Sequence, residues 1–130
     1  MKYLCLIYED ETFWEKTPKP ELDAIMDDYR AFGTTYIQSG HVLGGNALQP
    51  TATATTIRVR NGKMSTTDGP FAETREQLGG YYMLEAKDLN EAIQIAAKIP
   101  GAKTGSVEVR PIMHIPTSVL NEIPASAVSA

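Results

Sequence analysis

Sulfur chemistry is the first thing this sequence lacks. Cys5 is the single cysteine in 130 residues. That excludes an internal disulfide and a cysteine-based zinc site, and it fits a reducing compartment. Histidine is nearly as scarce, with two residues, His41 and His114, so no metal centre is expected. Positive charge is in deficit: 12 Lys and Arg stand against 16 Asp and Glu, for a net charge of -4. The one basic pair on a shared strand face is Arg58 with Arg60, so direct DNA or RNA binding is not expected. Long apolar runs are missing too. The opening run over residues 3–8 stops at Glu9-Asp10-Glu11, too short for a signal-peptide core or a membrane span. A cytoplasmic chain without membrane contact is therefore expected. The glycine pairs at 44–45 and 79–80 lack both the Lys-Ser/Thr of a phosphate-binding loop and the dinucleotide spacing, so no nucleotide or other cofactor is expected.

What is present reads as one domain over residues 1–115, followed by a loose Ser/Ala/Pro tail over 116–130. Residues 2–8 alternate as a strand with Tyr3, Cys5 and Ile7 on one face and Leu4, Leu6 and Tyr8 on the other. Both faces are apolar, so both need cover. Residues 9–16 read as an acidic connector. Its Phe13 and Trp14 are either core-edge caps or lid residues. Thr17 as N-cap and Pro18 in the first turn open a helix, and Leu22, Ile25, Met26, Tyr29, Phe32, Tyr36 and Ile37 form its stripe. Gly40 stops it. A short strand over 42–48 is interrupted by Gly44-Gly45, which marks a bulge or a close backbone approach. Residues 80–86 form another strand. Asp88 with Glu91 makes a capping box for a second helix, whose expected stripe is Leu89, Ala92, Ile93, Ala96 and Ile99 and whose expected end is Pro100-Gly101. Residues 106–115 form a last strand, which Pro111 places at an edge or a bend.

Asn61-Gly62 is the strongest turn signal in the chain. A two-residue loop there pairs Arg60 with Lys63, Val59 with Met64, Arg58 with Ser65, Ile57 with Thr66 and Thr55 with Asp68. Asp68 then shares the apolar face of Ile57, Val59 and Met64. A carboxylate on a covered face needs donors, and the candidates are backbone N–H groups after Gly69, Arg75 and His41. An Asx-turn ahead of Pro70 would serve the same carboxylate structurally.

Without the inserted hairpin, the element order is βαββαβ, the ferredoxin-like α+β unit, with two helices on one sheet face. The bare face is most simply buried by a second copy, so a homodimer is expected. Asp68-Gly69-Pro70-Phe71-Ala72-Glu73-Thr74-Arg75-Glu76-Gln77-Leu78-Gly79-Gly80-Tyr81-Tyr82 resembles the signature of the DGPF branch of the YCII-related family. The opening eight residues, Gly45-Asn46-Ala47-Leu48-Gln49-Pro50 and Val107-Glu108-Val109-Arg110-Pro111 fit the same pattern. The resemblance implies a dimeric α/β barrel with no assigned reaction. It also implies a link to extracytoplasmic-function sigma factors as partners. Related YCII-type proteins carry a His-Asp pair, with the His in the first helix and the Asp near the end of the second. Here the first helix has no His and the second ends Lys98-Ile99-Pro100, so His41 with Asp68 is a different constellation.

The expected site is therefore a small-molecule pocket. Asp68 and His41 are the candidate acid and base, and Arg75, Glu73, Phe71, Tyr81 and Arg58 the candidate ligand contacts. The competing reading is a non-enzymatic regulatory dimer. In that reading His41 is a capping histidine at a helix C-terminus.

Overall fold

The computed structural model describes residues 1–116. Along the chain run β1 (Lys2–Glu9), α1 (Thr12–Lys16), α2 (Lys19–Gln38), β2 (Val42–Ala47), β3 (Thr55–Arg60), β4 (Lys63–Asp68), β5 (Gln77–Glu85), α3 (Leu89–Ala96), α4 (Gly101–Thr104) and β6 (Ser106–Pro111). One sheet has the order β2-β5-β1-β6, and β3-β4 form a separate hairpin. Every pairing in the sheet is antiparallel. This is the ferredoxin-like α+β arrangement with an inserted hairpin. From residue 117 the expected tail lies outside the described residues.

Alternation on β1 decides where the core sits. Tyr3, Cys5 and Ile7 are buried, while Leu4, Leu6 and Tyr8 are half-exposed. Leu84 lies opposite Tyr3, and Tyr82 opposite Cys5. Against this face the helices bring Phe32, Ala92, Ile95 and Ala96, and the turn after α3 brings Ile99. Each large apolar side chain among them contributes about 1.5–3 kcal/mol by leaving water. Burial pushes the Cys5 thiol up to about 11, which makes it an inert core group.

Local signals act mostly as read. Gly40 ends α2 in the left-handed region at φ 81°. Asp88 accepts from Glu91 N–H at 2.9 Å, and the Glu91 carboxylate accepts from Lys87 N–H at 3.1 Å. Asn61 and Gly62 adopt φ 52° and 73°, the mirror-image turn that suits a twisted hairpin. The five expected cross-strand pairs all form. The Gly44-Gly45 interruption is a bulge between Val42 and Gly44 in the pairing with β5. Strand β6 is an edge strand, and it ends at Pro111 rather than running to 115.

Other expectations are corrected. Residues 12–16 are helical instead of an irregular connector, because Asp10 takes both the N–H and the hydroxyl of Thr12 and starts a turn. Thr17 does not cap α2. Its hydroxyl donates to Phe13 O and closes α1, and Pro18 stands at the N-cap without a side-chain bond. Met26 and Ile37 lie on the solvent side of the expected α2 stripe. The buried stripe of the last long helix is Ala92, Ile95 and Ala96, with Ile99 buried just beyond its end, leaving Leu89 and Ile93 exposed. That helix stops at Ala96, and Pro100-Gly101 opens α4 instead of ending it. Strand β5 begins at Gln77, three residues early, because the pairing with β1 continues past a bulge between Ile7 and Tyr8.

Candidate functional site

A cleft of about 580 Å³ opens where the end of β1 meets α1, the middle of α2 and strands β2 and β5. Glu9 stands in it together with Trp14, Tyr29, Tyr81 and Tyr82. Glu9 continues the buried phase of Tyr3, Cys5 and Ile7, so the strand turns its carboxyl toward the helices. Only 6% of the residue is exposed. The loop into α4 packs directly on it. A Cβ on Gly101 would lie 2.8 Å from Glu9 Oε1 and 2.9 Å from the Tyr29 hydroxyl, so only glycine permits this approach.

Glu9 Oε2 is buried and has no hydrogen-bond partner among the described residues. Burial pushes the Glu9 carboxyl above the ordinary carboxylate range, and the nearby Glu76 charge pushes the same way. Thr104 and Trp14 stand close enough to oppose this displacement, but neither satisfies Oε2. An orphaned buried carboxyl oxygen is expensive unless the group holds a proton. Above it, the Tyr29 hydroxyl is pushed up to about 12, chiefly by burial and then by the charge of Glu9. Tyr29 therefore remains a neutral phenol at physiological pH. Burial raises Tyr82 as well.

The rim is pinned by hydrogen bonds. Glu11 accepts from Thr51 N–H at 2.6 Å and from the Thr51 hydroxyl at 2.9 Å. Glu11 N–H donates to Gln77 Oε1 at 2.9 Å, and Asn46 Nδ2 donates to the Tyr81 hydroxyl at 2.9 Å. Phe13 meets Trp14 edge-on at 5.5 Å between ring centroids, bracing the indole over the opening. Among the described residues no cluster of His, Cys, Asp or Glu could hold a metal ion, and no helix is long and apolar enough to cross a membrane.

Of the residues expected at the site, Tyr81 lines this cleft. Asp68 does not. It is exposed at the end of β4, and its carboxylate receives no hydrogen bond from Arg75, His41 or the backbone after Gly69. The turn there is held by Gly69 N–H donating to Ala54 O at 2.7 Å and by the Thr56 hydroxyl donating to Gly69 O at 2.8 Å. The register that placed Asp68 beside Ile57, Val59 and Met64 is present. What differs is cover, because the hairpin stands apart from the sheet and its apolar face meets solvent within one chain. His41 lies elsewhere, 2.7 Å from the Ser39 hydroxyl and 3.4 Å from Glu91 Oε1. The structure brings neither His41 nor Asp68 to the other. Glu73, Arg75, Phe71 and Arg58 are exposed, Phe71 at 80%.

The group that sequence reasoning passed over is Glu9. Its signal was period-2 phase: a carboxylate at the fourth buried position of a strand. The acidic run Glu9-Asp10-Glu11 disguised it as a solvated loop.

The chain resembles known proteins over most of its length. An uncharacterised protein of Rhizobium meliloti (strain 1021) is 39% identical over 114 residues, covering 86% of this chain and 92% of the relative. Among solved structures, the 5-chloro-2-hydroxyhydroquinone dehydrochlorinase of Burkholderia phenoliruptrix AC1100, in complex with 2,5-dihydroxybenzoquinone, matches at 15% identity with a TM-score of 0.44, over 88% of this chain and 95% of that one. The YCII-related domain model matches residues 1–116, and the chain belongs to that family.

Proposed function

We propose that this protein binds a small organic molecule in the Glu9 cleft and that the Glu9 carboxyl exchanges a proton with it. The observation that carries the reading is the buried, unpartnered Oε2 of Glu9 in an aromatic-walled cleft. A carboxyl whose pKa burial raises above the ordinary carboxylate range is a candidate for general acid–base work. Tyr29, held neutral, supplies a phenolic donor beside it. In this reading the protein works as a cytoplasmic homodimer of the DGPF branch, its bare sheet faces apposed in a dimeric α/β barrel. Asp68, Glu73, Arg75 and Arg58 would enter a site only from across that interface.

Trp14 is the single tryptophan of the chain, so its fluorescence reports on the cleft alone. Benzyl alcohol is expected to quench it saturably. Carbon-13 titration of glutamate-labelled protein is expected to show one carboxyl, lost in Glu9→Gln, titrating above the ordinary range. Unsaturable quenching together with a Glu9 that titrates like a surface carboxylate would defeat the proposal.

A second, non-enzymatic reading rests on a different observation. Ile57, Val59, Met64 and Phe71 face solvent around the hairpin, which suits a regulatory dimer that works with an extracytoplasmic-function sigma factor. In that case Glu9→Gln leaves partner binding intact and hairpin substitutions abolish it.

A further inference from the structure

We infer that the cleft selects a ligand bearing an organic ammonium group, such as a primary amine, and rejects anions. The inference rests on the reading of the Glu9 cleft as a binding site and adds the chemical class of its occupant. Glu9, Glu11 and Glu15 line the cleft, and no Lys, Arg or His does so among the described residues. A phosphate, sulfonate or carboxylate entering there would meet only negative or neutral groups, with no cation to replace its lost water. The rings on the Glu9 side are Trp14, Tyr29 and Tyr82, and aromatic faces attract a cation through their quadrupoles.

The carboxylates do not contribute equally. Both oxygens of Glu11 are taken up by Thr51, and Glu15 is exposed at the mouth. Glu9 alone offers a buried acceptor without a partner among the described residues. The titratable groups around Glu9 are Tyr29 from α2 and Glu76 ahead of β5, with Tyr82 across the cleft. None of these carries positive charge, so an incoming ammonium supplies the counter-ion that the cleft walls do not. Its N–H donates to the Glu9 carboxylate, and at a pH where the ligand-free carboxyl still holds its proton, that proton leaves to buffer. Amine binding is thus coupled to proton release, and it strengthens as pH rises through the Glu9 pKa.

The test compares benzylamine, benzyl alcohol and benzoate on the wild-type protein, by Trp14 quenching and by calorimetry in buffers of different ionisation enthalpy. Benzylamine is expected to bind at least about tenfold tighter than benzyl alcohol, the order of one charge-assisted contact, with net proton release, while benzoate does not bind. Glu9→Gln, checked for folding by circular dichroism, is expected to erase both the preference and the proton release. If benzyl alcohol binds as tightly as benzylamine, the ammonium class is overturned and the cleft reading stands. Benzoate binding best would have the same consequence. If none of the three binds saturably, both readings fall.

Discussion

At the scale of single residues, Glu9 joins a strand's alternation to an ionisable group, and the cost of that position depends on pH. Its folded-state pKa lies above its unfolded value. Between the two, the native state holds the proton that the unfolded chain has already released. The stabilisation is complete below the ordinary carboxylate range and is lost as pH rises through the folded pKa. Every tenfold gain in proton affinity on folding corresponds to about 1.4 kcal/mol. Denaturant titrations from about pH 4 to about pH 8 are therefore expected to show Glu9→Gln gaining stability relative to wild type as pH rises. A constant difference across that range would mean Glu9 titrates as a surface group. Asp68 teaches the complementary lesson. Its neighbours on the hairpin face could be read from Asn61-Gly62, because turn length sets register. Whether another layer covers that face is a property of the assembly, and nothing in the residues nearby encodes it.

At the scale of elements, the legible parts were those governed by short-range chemistry. The glycine stop at Gly40, the Asp88 cap and the hairpin turn each need only a few neighbouring residues to form. The α3 stripe was less legible. Leu89 and Ile93 compete with Ile95 for the buried face, and Ala92, Ala96 and Ile99 fit either choice. Packing against β6 settles it toward Ile95. The Gly44-Gly45 interruption shows how local chemistry reaches the site. A Cβ on Gly45 would stand 2.5 Å from Tyr81 O and 2.7 Å from Tyr82 Cδ1. Gly45→Ala must push β2 from β5 or turn the Tyr82 ring into the cleft. The expected cost is about 1–3 kcal/mol, typical of overpacking, with weakened benzyl alcohol quenching of Trp14. Unchanged stability and unchanged quenching would show that the two strands separate freely there.

At the scale of the whole molecule, the described residues of one chain leave two apolar surfaces open. The bare face of the sheet carries Leu4, Leu6, Tyr8, Tyr81 and Met83, all half-buried, and on the hairpin Ile57, Val59 and Met64 are 62%, 59% and 70% exposed. Stable dimers commonly bury about 800 Å² per partner, and apposing bare sheet faces is the economical way to reach that where the described helices all pack on one sheet face. Sedimentation at micromolar concentration is expected to show a dimer. The double substitution Ile57→Asp and Met64→Asp tests whether the hairpin belongs to the interface, with a shift toward monomer expected. A wild-type monomer at that concentration would remove the dimer, and with it any route for Asp68 into a shared site.

The bulge between β1 and β5 lies in the wall of the cleft. Ile7 pairs with Gly80 and Tyr8 with Leu78, so Gly79 is the unpaired extra residue. It is not idle, since its carbonyl accepts the Leu48 N–H at 2.9 Å and it lies on the cleft wall. Losing the single codon for Gly79 would preserve every strand partner while releasing the segment after β2 that closes one side of the cleft. In such a lineage the strand pairing would be kept and the cleft wall altered, by a change in chain length and not in side-chain chemistry.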